Sequence, residues 1–530
     1  MHVIVYDFGT TSVKTCLFKV DDAIEIVASD IASYGLYTNE RGSAEQNAEE
    51  WWEAVCSTTR NLFEISDVEP SQVEGISFVS QMQGTVLIDE EGRVLRPPMN
   101  FLDNKGEDEC RKHMGKGLIK IAGCNAFKLL RNLHVNKAGP LSGKDPLWKY
   151  KWVKTHEPEV FKKVYKWLDV GDYLLYCCTG KIVRTPDTAF ATFLYDTRKG
   201  KEGWNKRLLK MYKVNPEHLP EIIDNTEVVG GLLPEAAKEM GLLEETPVFA
   251  GGGDVTFVNI GAGSSEVGDT HIYIGTSGWV STFLDHQVVD PIKMMASVLS
   301  CKNGYFNLYA ELETAGKCYE WALRNLVLDE IGMYIDDPKS NLERKCINIY
   351  DYIASRIEKV PPGANGVIFT PWMQGNRCPF EDNKAGGMFF NLNIKNKKVD
   401  MIRAVLEGIC YHMRWMLEGQ DKKVKTSNPI RFVGGGALSP VVCQMMADIT
   451  GRTIETVNNT QEVGAIGAAI LVAAGIKGED VFELSKQYVK VKQSYEPNPA
   501  NREVYQRQYN VFNKLYKNNK KSFHQVNVDS

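Results

Sequence analysis

The chain has 530 residues, with 62 Lys+Arg against 67 Asp+Glu, a net charge of −5 and 43% hydrophobic residues. At ~150 residues per domain this length implies two large or three ordinary domains of common globular composition. The balanced charge excludes the basic stripe that neutralises a nucleic-acid backbone, so no nucleic-acid partner is expected. The lysines at 517–521 are diluted by Asn and read as a solvated helix end. The longest uncharged apolar run, 463–476, falls short of the ~20 residues of a membrane span, so no membrane partner is expected. Residues 1–7 lack a basic lead and are interrupted by Asp7, which is not the pattern of a signal peptide. The 12 Cys form no Cys-x-x-Cys pair, as expected for reduced thiols in a cytoplasmic protein. The His residues form no close pair that would suggest zinc.

In chain order, 2–6 and 13–20 are β-branched runs flanking the turn Asp7-Phe-Gly-Thr-Thr-Ser12, which predicts a β-hairpin. A helix is expected over 46–63, with Trp52, Val55, Leu62 and Phe63 on one face. Strands follow at 73–79 and 85–88, and 105–245 reads as mainly helical. A second strand–turn–strand unit starts near 247: Val248 to Gly253 leads to Asp254, and strands 270–274 and 279–284 flank Gly275-Thr-Ser-Gly278. Two similar hairpins imply two related α/β halves around a cleft, divided at 247. In the third stretch Asp400 is expected to cap a helix ending at Gly419, and 429–433 to form a strand leading into Gly434, Gly435 and Gly436. Ser439 and Pro440 have the residue types of an N-cap and first helical position, with Gly451 as the stop. A strand at 453–457 and a helix at 463–474 complete an alternating α/β pattern.

Backbone N–H groups at a Gly/Thr/Ser turn can hold phosphate oxygens, and Thr10, Thr11 and Ser12 add hydroxyls. Asp7 beside them would repel a phosphate unless a hard cation such as Mg²⁺ lay between. A plain turn capped by Asp7 explains the same residues. Gly275, Thr276 and Ser277 repeat the chemistry without a carboxylate. Gly434–Gly436 would let a ligand lie against backbone, or simply permit tight strand–helix packing. Asp254, behind three glycines, could accept a proton from a substrate hydroxyl, or could cap a helix over 255–260. Gln81 and Gln83 offer amides suited to a polyol. Phe101 and Asp103 follow a Pro-Pro turn and read equally as a surface loop. No Gly-x-x-x-x-Gly-Lys-[Ser/Thr] loop and no Gly-x-Ser-x-Gly elbow occurs.

Eight short segments, in order and over nearly the whole chain, resemble the FGGY carbohydrate kinases, and xylulokinases within them. They are Tyr6 to Ser12, Gln81-Met-Gln-Gly84, Arg96 to Asp103, Gly251-Gly-Gly-Asp254, Ile274 to Gly278, Gln374-Gly-Asn-Arg377, Arg403 to Gly408 and Gly434-Gly-Gly-Ala437. The resemblance implies an α/β fold of two ribonuclease-H-like, actin-like ATPase domains, 1–247 and 248–530, around a central cleft. It implies ATP-dependent phosphorylation of a sugar hydroxyl, most of all that of a ketopentose, with another ketose or polyol as the alternative. It makes Asp254 the general base and Asp7 the Mg²⁺-side carboxylate. Thr10, Thr11, Ser12, Lys14, Gly275, Thr276 and Ser277 would hold ATP phosphates, and Gly434, Gly435, Gly436 and Ala437 would line the adenosine pocket. Gln81, Met82, Gln83, Phe101, Asp103 and Asp254 would face the sugar. The chain departs from the better-known xylulokinases at Gln83 (usually His), Val255 (commonly Asn) and Phe101 (commonly Trp), all on the sugar side. A homodimer is left open.

Two rivals have other chemistry. Gly434 to Ser439 followed by Glu455 fits a dinucleotide-binding fingerprint, but that reading leaves the paired hairpins and Asp254 unexplained. A non-catalytic, actin-like nucleotide or sugar sensor would use the same pockets without needing Asp7 and Asp254 together.

Overall fold

The computed structural model describes residues 1–39, 42–121, 123–328 and 349–528. The β-branched N-terminal runs form a meander of β1 (His2–Phe8), β2 (Ser12–Val20) and β3 (Ile24–Ser33). Later segments extend it: β4 (Val73–Ser80), β5 (Val228–Gly231) and β6 (Pro247–Gly253). The strand order is β5-β6-β4-β1-β2-β3. β4 runs parallel to β1, and β6 runs parallel to β4. These three strands are largely buried, as expected of parallel strands covered on both faces.

The second sheet has eight strands: β7 (Thr270–Ile274), β8 (Gly278–Leu284), β9 (Val289–Asp290), β10 (Met295–Leu299), β11 (Phe306–Leu312), β12 (Ile430–Val433), β13 (Ile454–Val457) and β14 (Val491–Tyr495). Their order is β9-β10-β11-β8-β7-β12-β13-β14. β7 and β8 are the second hairpin, and β12 lies parallel to β7. Both sheets therefore carry a hairpin flanked by a parallel strand.

The helices that position the cleft are α1 (Ala48–Glu64), α2 (Asp254–Gly261), α3 (Lys398–Asp421), α4 (Pro440–Thr450), α5 (Val463–Lys477) and α6 (Arg502–Val526). The helix α5 is apolar all round, and such a helix must be buried; Val463 to Ala474 are buried without exception. It packs under the first sheet, where Ala468, Ile470 and Leu471 join Val3, Val5, Cys16 and Phe18 in one core. In the opposite sense, Val258 and Ala262 at the end of α2 pack with Trp279, Val433 and Val457 of the second sheet. The two helices cross at glycines: a Cβ on Gly261 would strike the Val463 carbonyl, and one on Gly467 the Phe257 carbonyl.

Several expectations shift. The boundary expected at 247 falls on the first residue of β6, and β6 is hydrogen-bonded into the first sheet. The helix α3 starts two residues before Asp400, whose carboxylate instead accepts the Lys397 N–H at 2.8 Å from within the first turn. It also runs through Gly419 to Asp421, because Gly419 is buried with a negative φ and imposes no stop. Ser439 stands at the N-cap of α4 without a side-chain capping bond, while Gly451 closes that helix with φ 70° as expected. The C-terminal aromatic stripe is core: Tyr505, Tyr509 and Phe512 of α6 are buried, and Tyr516 stacks on Phe380 at 3.5 Å. Among the described residues no helix is long and apolar enough to cross a membrane.

Candidate active site

Strand register brings the first set of residues together. Asp7 and Gly252 both lie beside Val79, and Phe8 and Gly253 both lie beside Ser80. Asp7, Gln81 and Asp254 thus sit at the carboxyl ends of three adjacent parallel strands, where open α/β sheets bind ligands. The first hairpin turn is held from outside. Gly9 N–H reaches Ser12 O at 3.0 Å, and the Tyr34 hydroxyl donates to Gly9 O at 2.5 Å and Ser12 O at 2.9 Å. Thr10 and Ser12 are half-buried and Thr11 is exposed, so the tip remains open. Burial raises the Asp7 carboxyl to about 6, with nearby Lys14 opposing the shift and Glu462 adding to it. Lys14 is ion-paired to Glu462, the residue before α5. Its ammonium is therefore held as part of a pair.

The three glycines before Asp254 have distinct reasons. Gly251 and Gly252 adopt φ 67° and 154°, and a side chain on either would collide, with Phe78 O or with Asn225 and Asp187. A side chain on Gly253 would collide with the Met82 thioether, so the amide loop abuts the Asp254 turn. Asp254 opens α2, and its Oδ1 accepts the Val255 N–H at 2.8 Å. The helix expected over 255–260 thus starts one residue early, with Asp254 as its first residue and Gly253 in place of Asp254 at the N-cap. Burial raises the Asp254 carboxyl to about 7, and the Asp7 and Glu311 charges add to the rise. A carboxyl poised there is matched to base work near neutrality.

The expected sugar-side residues divide. Gln81 is buried, its Nε2 donates to Gln46 Oε1 at 2.9 Å, and its Oε1 has no partner. Gln46 Nε2 in turn donates to Thr10 O at 2.8 Å, linking this amide to the first hairpin tip. Gln83 is held at φ 66°, an unusual conformation for a residue with a side chain. Its N–H donates to Asp169 at 3.1 Å, and its carbonyl accepts from the fully buried Lys149 at 3.0 Å. Burial drops the Lys149 ammonium to about 8, although Asp103, Asp169 and Asp145 oppose the shift. Phe101 is half-buried. Asp103 is fully buried, and its two oxygens take the Ala44 N–H at 2.9 Å and the Lys105 N–H at 3.0 Å.

The second hairpin is built in the same way as the first. Gly275 N–H reaches Ser277 O at 2.9 Å, with Thr276 exposed and Ser277 half-buried. Beneath it Tyr273 stacks on Trp279 at 3.9 Å. The Tyr273 hydroxyl is held well above its usual range by burial and then by the Asp7 and Asp254 charges. A tyrosine of the second sheet therefore senses both carboxylates of the first. Gly434 continues the same edge at φ 85°, and a Cβ there would strike Ile274 O. Gly434 and Ala437 are buried, Gly436 is half-buried and Gly435 is exposed.

Among the described residues there is no cluster of three His, Cys, Asp or Glu suited to a metal. Asp7 supplies a carboxylate oxygen beside the open tip. One carboxylate plus phosphate oxygens and waters is the donor set Mg²⁺ commonly takes, so the residues fit that ion as a phosphate-borne partner. The motif reading did not include Tyr34, Gln46, Lys149, Asp169 and Glu462. Each acts through a hydrogen bond, ion pair or packing contact from a distant segment; Gln46, the first residue of a predicted helix, and Glu462, just before another, stood near a recognised signal.

The FGGY family of carbohydrate kinases provides a model of its N-terminal domain that matches residues 2–261, and a model of its C-terminal domain that matches 271–476. The chain belongs to this carbohydrate kinase family. The kinase is 29% identical to a xylulose kinase of Bacillus subtilis over 98% of this chain and 97% of that protein. It is 28% identical to a gluconokinase of the same organism, over 89% of this chain and 86% of that protein. In fold it is similar to the crystal structure of a ligand-bound xylulose kinase from Lactobacillus acidophilus, with a TM-score of 0.84 at 24% identity, covering 99% of both chains. The kinase transfers a phosphoryl group from ATP to a sugar hydroxyl, and its two mixed sheets form the two-domain fold of the family.

Proposed function

We propose that this kinase phosphorylates a ketopentose of the xylulose type, with Asp254 as general base. The observation that carries the mechanism is Asp254 at the cleft, packed beside the Met82 loop, with a carboxyl poised near 7. Xylulose kinases of matching length among the relatives support the substrate. In this reading Asp254 takes the proton of the acceptor hydroxyl as its oxygen bonds to the γ-phosphorus and the bond to the ADP oxygen breaks. The backbone N–H groups of the two hairpin tips hold the phosphate oxygens from either side. Asp7 would hold Mg²⁺, which would supply charge neutralisation for the phosphates. Gln81 Oε1, buried and without a partner, would accept a sugar hydroxyl, and Gln83, Phe101 and Asp103 would shape that side. Gly434 to Ala437 would border the adenosine.

A second acceptor class is an aldonate or another polyol. The gluconokinase relative and the replacement of a usual His by Gln83 favour it. Measuring ADP release over pentuloses, hexuloses, tetritols, glycerol and gluconate separates the two. D-xylulose is expected to give the highest kcat/KM, and faster turnover of gluconate would overturn the ketopentose reading. Asp254→Asn should lower kcat by about 10³-fold or more while ATP binding persists; near-parental turnover would remove Asp254 from the role.

A further inference from the structure

We propose that Asp187 is a positioning residue that holds the Asp254 turn in its working geometry. The proposal rests on reading Asp254 as the base. Asp187 is fully buried, and one of its oxygens is spent on the segment around Asp254. Its Oδ2 accepts the Gly253 N–H and the Thr256 hydroxyl, each at 2.9 Å, so one oxygen grips the chain on both sides of residue 254. Its Oδ1 accepts the Thr185 hydroxyl at 2.6 Å and the Asn225 amide at 3.0 Å. The same Asn225 amide donates to Gly251 O at 2.7 Å.

The arrangement answers a local deficit. The first N–H groups of a helix lack intrahelical partners, and an N-cap side chain normally supplies one. The N-cap of α2 is Gly253, which has no side chain. From a segment nearly 70 residues earlier in the chain, Asp187 instead satisfies the N–H of the N-cap residue itself and the Thr256 hydroxyl at the third helical position. It also explains Gly252, whose Cβ would collide with Asp187 and Asn225. A base must sit within a fraction of an ångström of its proton, so loosening this grip reduces turnover more than binding.

The test uses the full-length kinase, with ADP release measured on D-xylulose or the best acceptor of the panel. Asp187→Asn replaces an acceptor oxygen by a donor facing two donors. It is expected to lower kcat about 10- to 100-fold, the size of losing hydrogen bonds to a carboxylate, with the KM values for sugar and ATP changed less than about threefold. Thr256→Val should lose about tenfold in kcat, and Thr256→Ser, which keeps the hydroxyl, should restore most of it. If Asp187→Asn does not fold, the Thr256 pair decides. Parental kcat in Asp187→Asn, a rise of both KM values in step with the loss, or equal losses in Thr256→Ser and Thr256→Val would overturn the proposal. Turnover retained by Asp254→Asn would instead remove the base itself, whereas an inactive Asp254→Asn beside an active Asp187→Asn would remove only the positioning role.

Discussion

Asp254 keeps its proton to about pH 7 because it is half-enclosed beside two other acids, and this has two opposite consequences. In the proposed role of base it would work only when ionised, so kcat should rise with pH through about 7 and level off above it, in ADP-release assays from pH ~5 to ~9. For stability the sign reverses. The carboxyl titrates near 3.8 when unfolded and near 7 when folded. Between those values the native state binds the proton that the unfolded chain has released, so stability falls as pH rises through that window. Asp254→Asn removes the buried charge and should stabilise the kinase at pH 8 by about 1–3 kcal/mol, read as a higher denaturation midpoint. An unchanged midpoint would mean the site is wetter than its burial implies. Gln46 makes a different prediction, because its amide joins Gln81 to the Thr10 carbonyl. Gln46→Leu leaves both groups unpaired and should raise the KM for sugar and for ATP together, each about tenfold. An effect on one substrate alone would break the proposed link.

At the scale of elements, the crossing of α2 and α5 brings helix backbone against helix backbone. Gly467→Ala puts a methyl into the Phe257 carbonyl and should destabilise by about 1–3 kcal/mol through overpacking, seen as a lower thermal midpoint with unchanged KM values. The elements themselves were largely legible in the sequence. The first hairpin, α1, α4 and the strands leading to Gly275 and Gly434 lie within a few residues of where alternation and turn residues put them. These signals are local, and so is the motif chemistry of the hairpin tips. Partners were not legible. β6 reads as the start of a second unit because a glycine-rich strand resembles a new beginning, yet its hydrogen bonds go to β4, some 170 residues earlier. Asp103 reads as free for a ligand because its buried backbone partners, Ala44 and Lys105, leave no mark in its own segment. Asp187 carried no motif for the same reason.

At the scale of the molecule, the helix exchange means that neither half owns its core. The apolar face of β1 and β2 is covered by α5, which lies in the second half of the chain, and Val258 and Ala262 at the end of α2 pack against the second sheet. Glu462 and Gly464, at the start of α5, also stand beside Lys14 and Asp7. A fragment cut at residue 261 would expose Val3, Val5 and Phe18 and lose the contacts of Glu462 and Gly464 with Lys14 and Asp7. Such a fragment should be insoluble or molten alone, and co-expression with residues 262–530 should rescue it as a heterodimer with sugar-kinase activity; a monomeric, cooperatively melting fragment would contradict this. The two lobes are therefore one heritable unit: a recombination point between the two family-model regions would have to carry a matched pair of crossing helices, and a chimaera that takes α2 from one parent and α5 from another should fail at that glycine contact before it fails at any catalytic residue.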